Sequence, residues 1–201
     1  MRLDPRVPVA VATKNLDKFN EIVQLWGDEP PVLALPGPEY PDVDERFSTY
    51  EENAVLKAAE LARLSGGPAL ADDSGIEVLA LGSKPGILSA RTPSPTSTPD
   101  ERNRAILEQL AALPGASRRA RYVCVCALAV PGQEPLTARG EVEGEIALAP
   151  RGSGGFGYDP FFYYPPYGQT FGEVPIEMKH AVSHRGRAVR ALRALLSRRG
   201  D

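Results

Sequence analysis

The chain has 201 residues, with 23 basic and 26 acidic side chains and a formal net charge of −3. That length fits one domain, two-lobed at most, with enough chain to bury a sizeable core, and so small a charge gives no argument for a nucleic-acid or membrane-surface partner. Two cysteines exclude a disulfide framework, and the lack of a leader pattern or an apolar run near 18 residues points to a soluble, cytoplasmic protein.

Residues 7–12 (VPVAVA) read as a first buried strand, followed by a helix in which Leu16, Phe19, Ile22, Val23 and Trp26 form one apolar face. Thr13, Asn15 and Lys18 cluster at its N-terminus. Such a cluster suits a bound anion, and it equally suits ordinary capping with a solvated lysine. Residues 32–35 are a second strand, ended by Pro36-Gly37-Pro38, and an acidic loop runs from Glu39 to Glu45. Thr49 and Glu52 then form a capping pair for a helix that glycine stops at 66–67. Asn53 and Lys57 share a face beside its alanine and leucine stripe.

Residues 68–71 (PALA) lead straight into Asp72-Asp73-Ser74-Gly75. The apolar run predicts a strand and Ser74-Gly75 the turn that ends it. Two carboxylates at a buried strand end need a metal ion, a lysine or backbone N–H groups to meet them. Adjacent strand residues face opposite ways, so one acid is expected to meet a metal and the other to be held by backbone groups.

Residues 76–81 read as another short strand and 92–97 as a proline-rich loop. Thr98-Pro99-Asp100-Glu101 is a strong helix start. Residues 119–130 and 136–148 read as a long antiparallel hairpin, with Cys124 and Cys126 on one face as small core residues. In residues 151–160 (RGSGGFGYDP), glycines let backbone approach a ligand and Phe156 suits stacking on a planar base. A glycine-rich turn with packed aromatics explains the same pattern. A last helix begins near Ser183, and its arginines 187, 190, 193, 198 and 199 read as a solvated face. His184 and Arg185 stand in its first turn, where the helix dipole disfavours cations, which hints at a bound anion or planar polar group.

These stretches predict an α/β fold: a mixed sheet flanked by helices, in one elongated two-lobed domain over residues 1–201. The second lobe, roughly 85–150, is antiparallel, with a cleft between the lobes. The chain also resembles the inosine triphosphate pyrophosphatases, which hydrolyse noncanonical purine nucleoside triphosphates. The resemblance is carried, in order along nearly the whole chain, by residues 12–21, 51–58, 71–75, 85–91, 155–160 and 183–185. It implies hydrolysis of ITP, dITP or XTP to the monophosphate and pyrophosphate by magnesium-assisted attack of water. It implies that Thr13, Lys14, Asn15 and Lys18 bind phosphate, and that Asp73 is general base and metal ligand. Glu45 becomes the second Mg²⁺ ligand, Lys57 a catalytic lysine and Ser74 a substrate contact. Phe156, Gly157, Tyr158 and Asp159 match the base-binding loop, and Lys179, His184 and Arg185 the residues that read the 6-oxo edge. A homodimer joined through the second lobe is implied as well. Thr92 and Pro93 after Arg91, His180 after Lys179 and Leu88 before Ser89 depart from the family's usual residues.

Overall fold

The computed structural model describes every residue except Arg2, Glu29, Pro38, Glu39, Asp42, Asp44 and Asp201, together with the side chains of Arg199 and Gly200. Much of the predicted acidic loop, namely Glu39, Asp42 and Asp44, therefore lies outside the described residues. In chain order the elements are β1 (Val9–Val11), α1 (Leu16–Trp26), β2 (Leu33–Ala34), α2 (Tyr50–Ser65), β3 (Ala69–Val78) and β4 (Lys84–Pro85). They continue with α3 (Pro99–Ala111), β5 (Arg119–Ala129), β6 (Leu136–Ile146), β7 (Phe162–Tyr164), β8 (Gln169–Thr170), α4 (Ile176–Val182) and α5 (His184–Gly200).

The strands form a mixed eight-stranded sheet in the order β2-β1-β3-β5-β6-β7-β8, with β4 paired to β3. β1 runs parallel to β2 and β3, as expected when helices cross over between strands, and β4, β7 and β8 pair antiparallel. The chain divides into two compact units. The first holds residues 1–73, 124–140 and 185–201, and the second holds 74–123 and 141–184.

In the first unit, Val9, Val11 and Leu70 meet Ile22 and Trp26 of α1, Cys124, Cys126 and Leu128 of β5, and Ala188, Val189 and Leu192 of α5. The cysteines are buried core residues, as expected, with their sulfurs 3.9 Å apart. In the second unit, Ile76, Val78, Ile106, Leu110, Tyr122, Val142, Ile146, Phe162 and Phe171 close a separate core. No helix among the described residues is long and apolar enough to cross a membrane.

Three sequence expectations are corrected here. Ser74-Gly75 is no turn: β3 runs unbroken for ten residues, so Asp72 and Asp73 lie within a strand, not at its end. Glycine is needed at 75 because a Cβ there would strike the Gly86 carbonyl and come within 2.7 Å of Ser89 Oγ. Residues 79–81 form a 3₁₀ turn after β3, not part of a strand. On α1, Leu16 is largely exposed while Glu21 is buried, because an arginine reaches Glu21 from α5.

Candidate functional site

In the first unit, Asn15 caps α1 by accepting from Lys18 N–H at 3.0 Å, and Thr13 Oγ1 accepts from Asn15 N–H at 3.1 Å. Capping fixes this segment and leaves Lys14 exposed and Lys18 partly so. Lys18 Nζ lies 3.3 Å from Asp72 Oδ2. From α5, Arg185 donates from Nη2 to Asp72 Oδ2 at 3.0 Å and from Nη1 to Glu21 Oε2 at 2.6 Å. Asp72 thus meets cationic side chains of the protein, Lys18 and Arg185. Burial pushes its carboxyl up, but Lys18, Arg185 and Lys57 together overcome this and hold it far below the usual carboxylate range. The two cations that looked misplaced in the first turn of α5 are accounted for on the Arg185 side: its anions are carboxylates of the protein.

Asp73 faces the other way. Lys57 Nζ bridges Glu45 Oε1 at 2.6 Å and Asp73 Oδ1 at 3.2 Å. Burial pulls the lysine's pKa down, yet Asp73, Asp72 and Glu45 outweigh it and hold the ammonium above its usual value. For Asp73 the balance is reversed: burial raises its carboxyl, and Lys57 and Lys18 do not fully compensate. Its second oxygen, Oδ2, is buried and meets no hydrogen-bond partner among the described residues. A buried carboxylate oxygen without a donor is expensive unless a ligand uses it. Asn53 secures this corner by accepting from Phe47 N–H and donating to Phe47 C=O, which fixes the backbone two residues from Glu45.

In the second unit, Asp159 organises the glycine loop. Its Oδ2 accepts from Phe156 N–H at 2.8 Å and from Lys179 Nζ at 2.6 Å, while Tyr122 O–H approaches Oδ1 at 3.4 Å. Gly155, with φ +67°, has no room for a Cβ, which would land on the Asp159 carboxylate. Lys179 sits within the short helix α4, where the sequence had suggested only a segment preceding a helix, and its Nζ is 5.1 Å from the centre of the Phe156 ring. His184 stacks on Tyr122 with ring centres 4.4 Å apart. Tyr158 donates its hydroxyl to Ser89 C=O at 2.7 Å, and burial pushes its phenol up to about 12 against the pull of Arg102. Ser74 opens this unit, partly buried.

The residues implied by the resemblance therefore sort into two sets. Thr13, Lys14, Asn15, Lys18, Glu45, Lys57, Asp73 and Arg185 belong to the first unit, and Ser74, Phe156, Gly157, Tyr158, Asp159, Lys179 and His184 to the second. Arg185, grouped by resemblance with the base-reading residues, is engaged by Glu21 and Asp72. Glu21, Asn53 and Tyr122 were missed as contributors. Only Asn53 carried a signal, its shared helix face with Lys57.

The Ham1 family's sequence model matches residues 9–195. The chain is 43% identical over 194 residues to a dITP/XTP pyrophosphatase of Geobacter sulfurreducens, covering 96% of this chain and 98% of that protein. It is 53% identical over 148 residues to a dITP/XTP pyrophosphatase of Thermus thermophilus, covering 74% and 71% respectively. A solved HAM1 protein from Coxiella burnetii superposes with a TM-score of 0.86 at 40% identity, covering 96% of this chain and 99% of that one.

Proposed function

Because this chain belongs to the Ham1 family, we propose that it hydrolyses noncanonical purine nucleoside triphosphates such as dITP, ITP and XTP to the monophosphate and pyrophosphate. The observation that carries the reading is Asp73: a buried carboxylate with an unpartnered oxygen, pushed up in pKa, beside Lys57 and Glu45. A general base works best when its pKa is drawn from the carboxylate range toward neutrality, and burial does that here. Asp73 takes a proton from the attacking water, the water oxygen bonds to the α-phosphorus, and the bond to the bridging oxygen breaks to release pyrophosphate. Lys18 and Lys57 offset the charge on the phosphates, and the capped α1 N-terminus directs Thr13, Lys14 and Asn15 at them. Asp72, clamped between Lys18 and Arg185, fixes where Lys18 stands.

Magnesium fits these donors. It takes oxygen ligands and is commonly held by one or two carboxylates plus substrate phosphates, and the carboxylates that would hold it here are Glu45 and Asp73. When bound, the ion neutralises charge on the phosphates and acidifies water.

For the base, Phe156 offers a stacking ring and Lys179 a cationic donor. A 6-oxo purine accepts from such a donor, whereas the amino group of adenine would face it unpaired. We expect Phe156→Ala to raise the KM for dITP by about tenfold or more, the worth of one stacked base, with kcat changed less. An unaltered KM would refute stacking. A homodimer in the cytoplasm, with no nucleic-acid or membrane partner, accompanies this reading; the sequence pI of about 5.5 supports the last part. Product analysis tests the chemistry: dITP with Mg²⁺ should give pyrophosphate and dIMP in equal amounts, and release of orthophosphate instead would contradict it.

A further inference from the structure

We propose that Asn103 on α3 is a specificity-determining positioning residue that sets the place of the base-holding loop through the Gly157 carbonyl. The inference rests on the reading of residues 156–159 as that loop. Asn103 is 3% exposed, and its Nδ2 donates to Gly157 C=O at 3.0 Å across 54 residues of sequence. Gly157 has φ +64° and nothing within 4 Å of where a Cβ would stand. No close approach of neighbouring atoms on that side locates this residue, and the hydrogen bond from Asn103 does so. Its neighbours are tied independently: Phe156 N–H to Asp159, and Tyr158 O–H to Ser89. Among the described residues, the anchor of Gly157 itself is Asn103.

The placement of Asn103 supports a role beyond packing. Residues 103, 106 and 110 lie on one face of α3, and Ile106 and Leu110 join the core of the second unit from it. An aliphatic residue at 103 would complete that face. Instead a buried amide stands there, and its Oδ1 accepts from no donor among the described residues. The amide orientation is fixed, because a carbonyl oxygen can only accept and so must face Nδ2. Retaining a half-satisfied buried amide on an otherwise apolar face is a local inconsistency of the kind found where a functional position is being enforced.

The test uses Asn103→Leu, with Asn103→Asp as a second variant should the first fold poorly, and Phe156→Ala alongside. Folding is checked by circular dichroism and thermal melting. For a folded Asn103 variant, KM for dITP should rise about tenfold, the effect of one buried hydrogen bond. Its kcat and the inhibition constant of inorganic pyrophosphate, which reads the phosphate residues alone, should stay within about twofold, below that bond's effect. Damage that is merely structural would move the pyrophosphate constant too, and that outcome overturns the proposal. A raised KM in Phe156→Ala with an unchanged KM in both Asn103 variants overturns the inference and leaves the base-loop reading standing. Unchanged KM in all of them overturns both.

Discussion

In the Asp73→Asn protein, turnover of dITP falls by about three orders of magnitude, the middle of the range for removing a positioned base. Binding of the nucleotide, followed by calorimetry, survives in part, because Lys18, Lys57 and the Phe156 loop are untouched. The asymmetry follows from the geometry. Oδ1 of Asp73 has a partner in Lys57, while Oδ2 has none. An amide can still accept from Lys57 at one end, but it cannot take a proton from water at the other. The companion variant Asp72→Asn should not mimic this, since Asp72 is ion-paired to Lys18 and Arg185 and serves to place Lys18. Turnover in Asp73→Asn within about tenfold of the parent, less than the least expected from losing a base, would remove Asp73 from the chemistry.

Replacing Arg185 with methionine lowers the unfolding free energy at pH 7 by about 3–5 kcal/mol, the usual result of removing one partner from a buried ion pair. Arg185 is 2% exposed, and Glu21 and Asp72 are buried with it, so the variant leaves two carboxylates short of a partner away from water. The pH dependence has a definite sign. Asp72 has a depressed pKa in the folded chain, so the stability it confers is present above the ordinary carboxylate value of about 4. It is lost as pH falls from there toward the folded value. In the variant, burial of Asp72 is opposed by fewer cations, and protonation relieves it. The deficit, measured by urea denaturation, should therefore be widest near neutrality and narrow below about pH 4. A deficit under about 1 kcal/mol, the scale of an exposed pair, or one that is flat across pH, would contradict a buried, charged cluster.

The sequence made the starts of α1 and α2 readable because their signals are local. Thr13, Asn15 and Lys18 fall within one turn of a helix start, and Thr49 with Glu52 marks the helix that carries Lys57. β5 and β6 were legible from their apolar pattern and the turn between them. What escaped was decided by pairings distant in sequence. Arg185 lies 113 residues from Asp72 and 164 from Glu21, so nothing near Glu21 on α1 announces that it is buried. Tyr122 reads as one more apolar residue of β5 until Asp159 and His184 are brought against it. Ser74-Gly75 looked like a turn because glycine commonly ends a strand. Here the same residue is required by close approach of another backbone segment, and the strand continues. β7 and β8 are three and two residues long, too short for any periodicity to show.

The most direct measurement is kcat/KM, with pyrophosphate detection and Mg²⁺ present, for dITP and XTP beside dATP, dGTP, dCTP and dTTP. dITP and XTP should exceed dATP by at least about a hundredfold, as expected of a site that presents donors to the 6-oxo edge and leaves them unpaired against adenine. Equal rates across the panel, or a preference for a pyrimidine triphosphate, would contradict this reading.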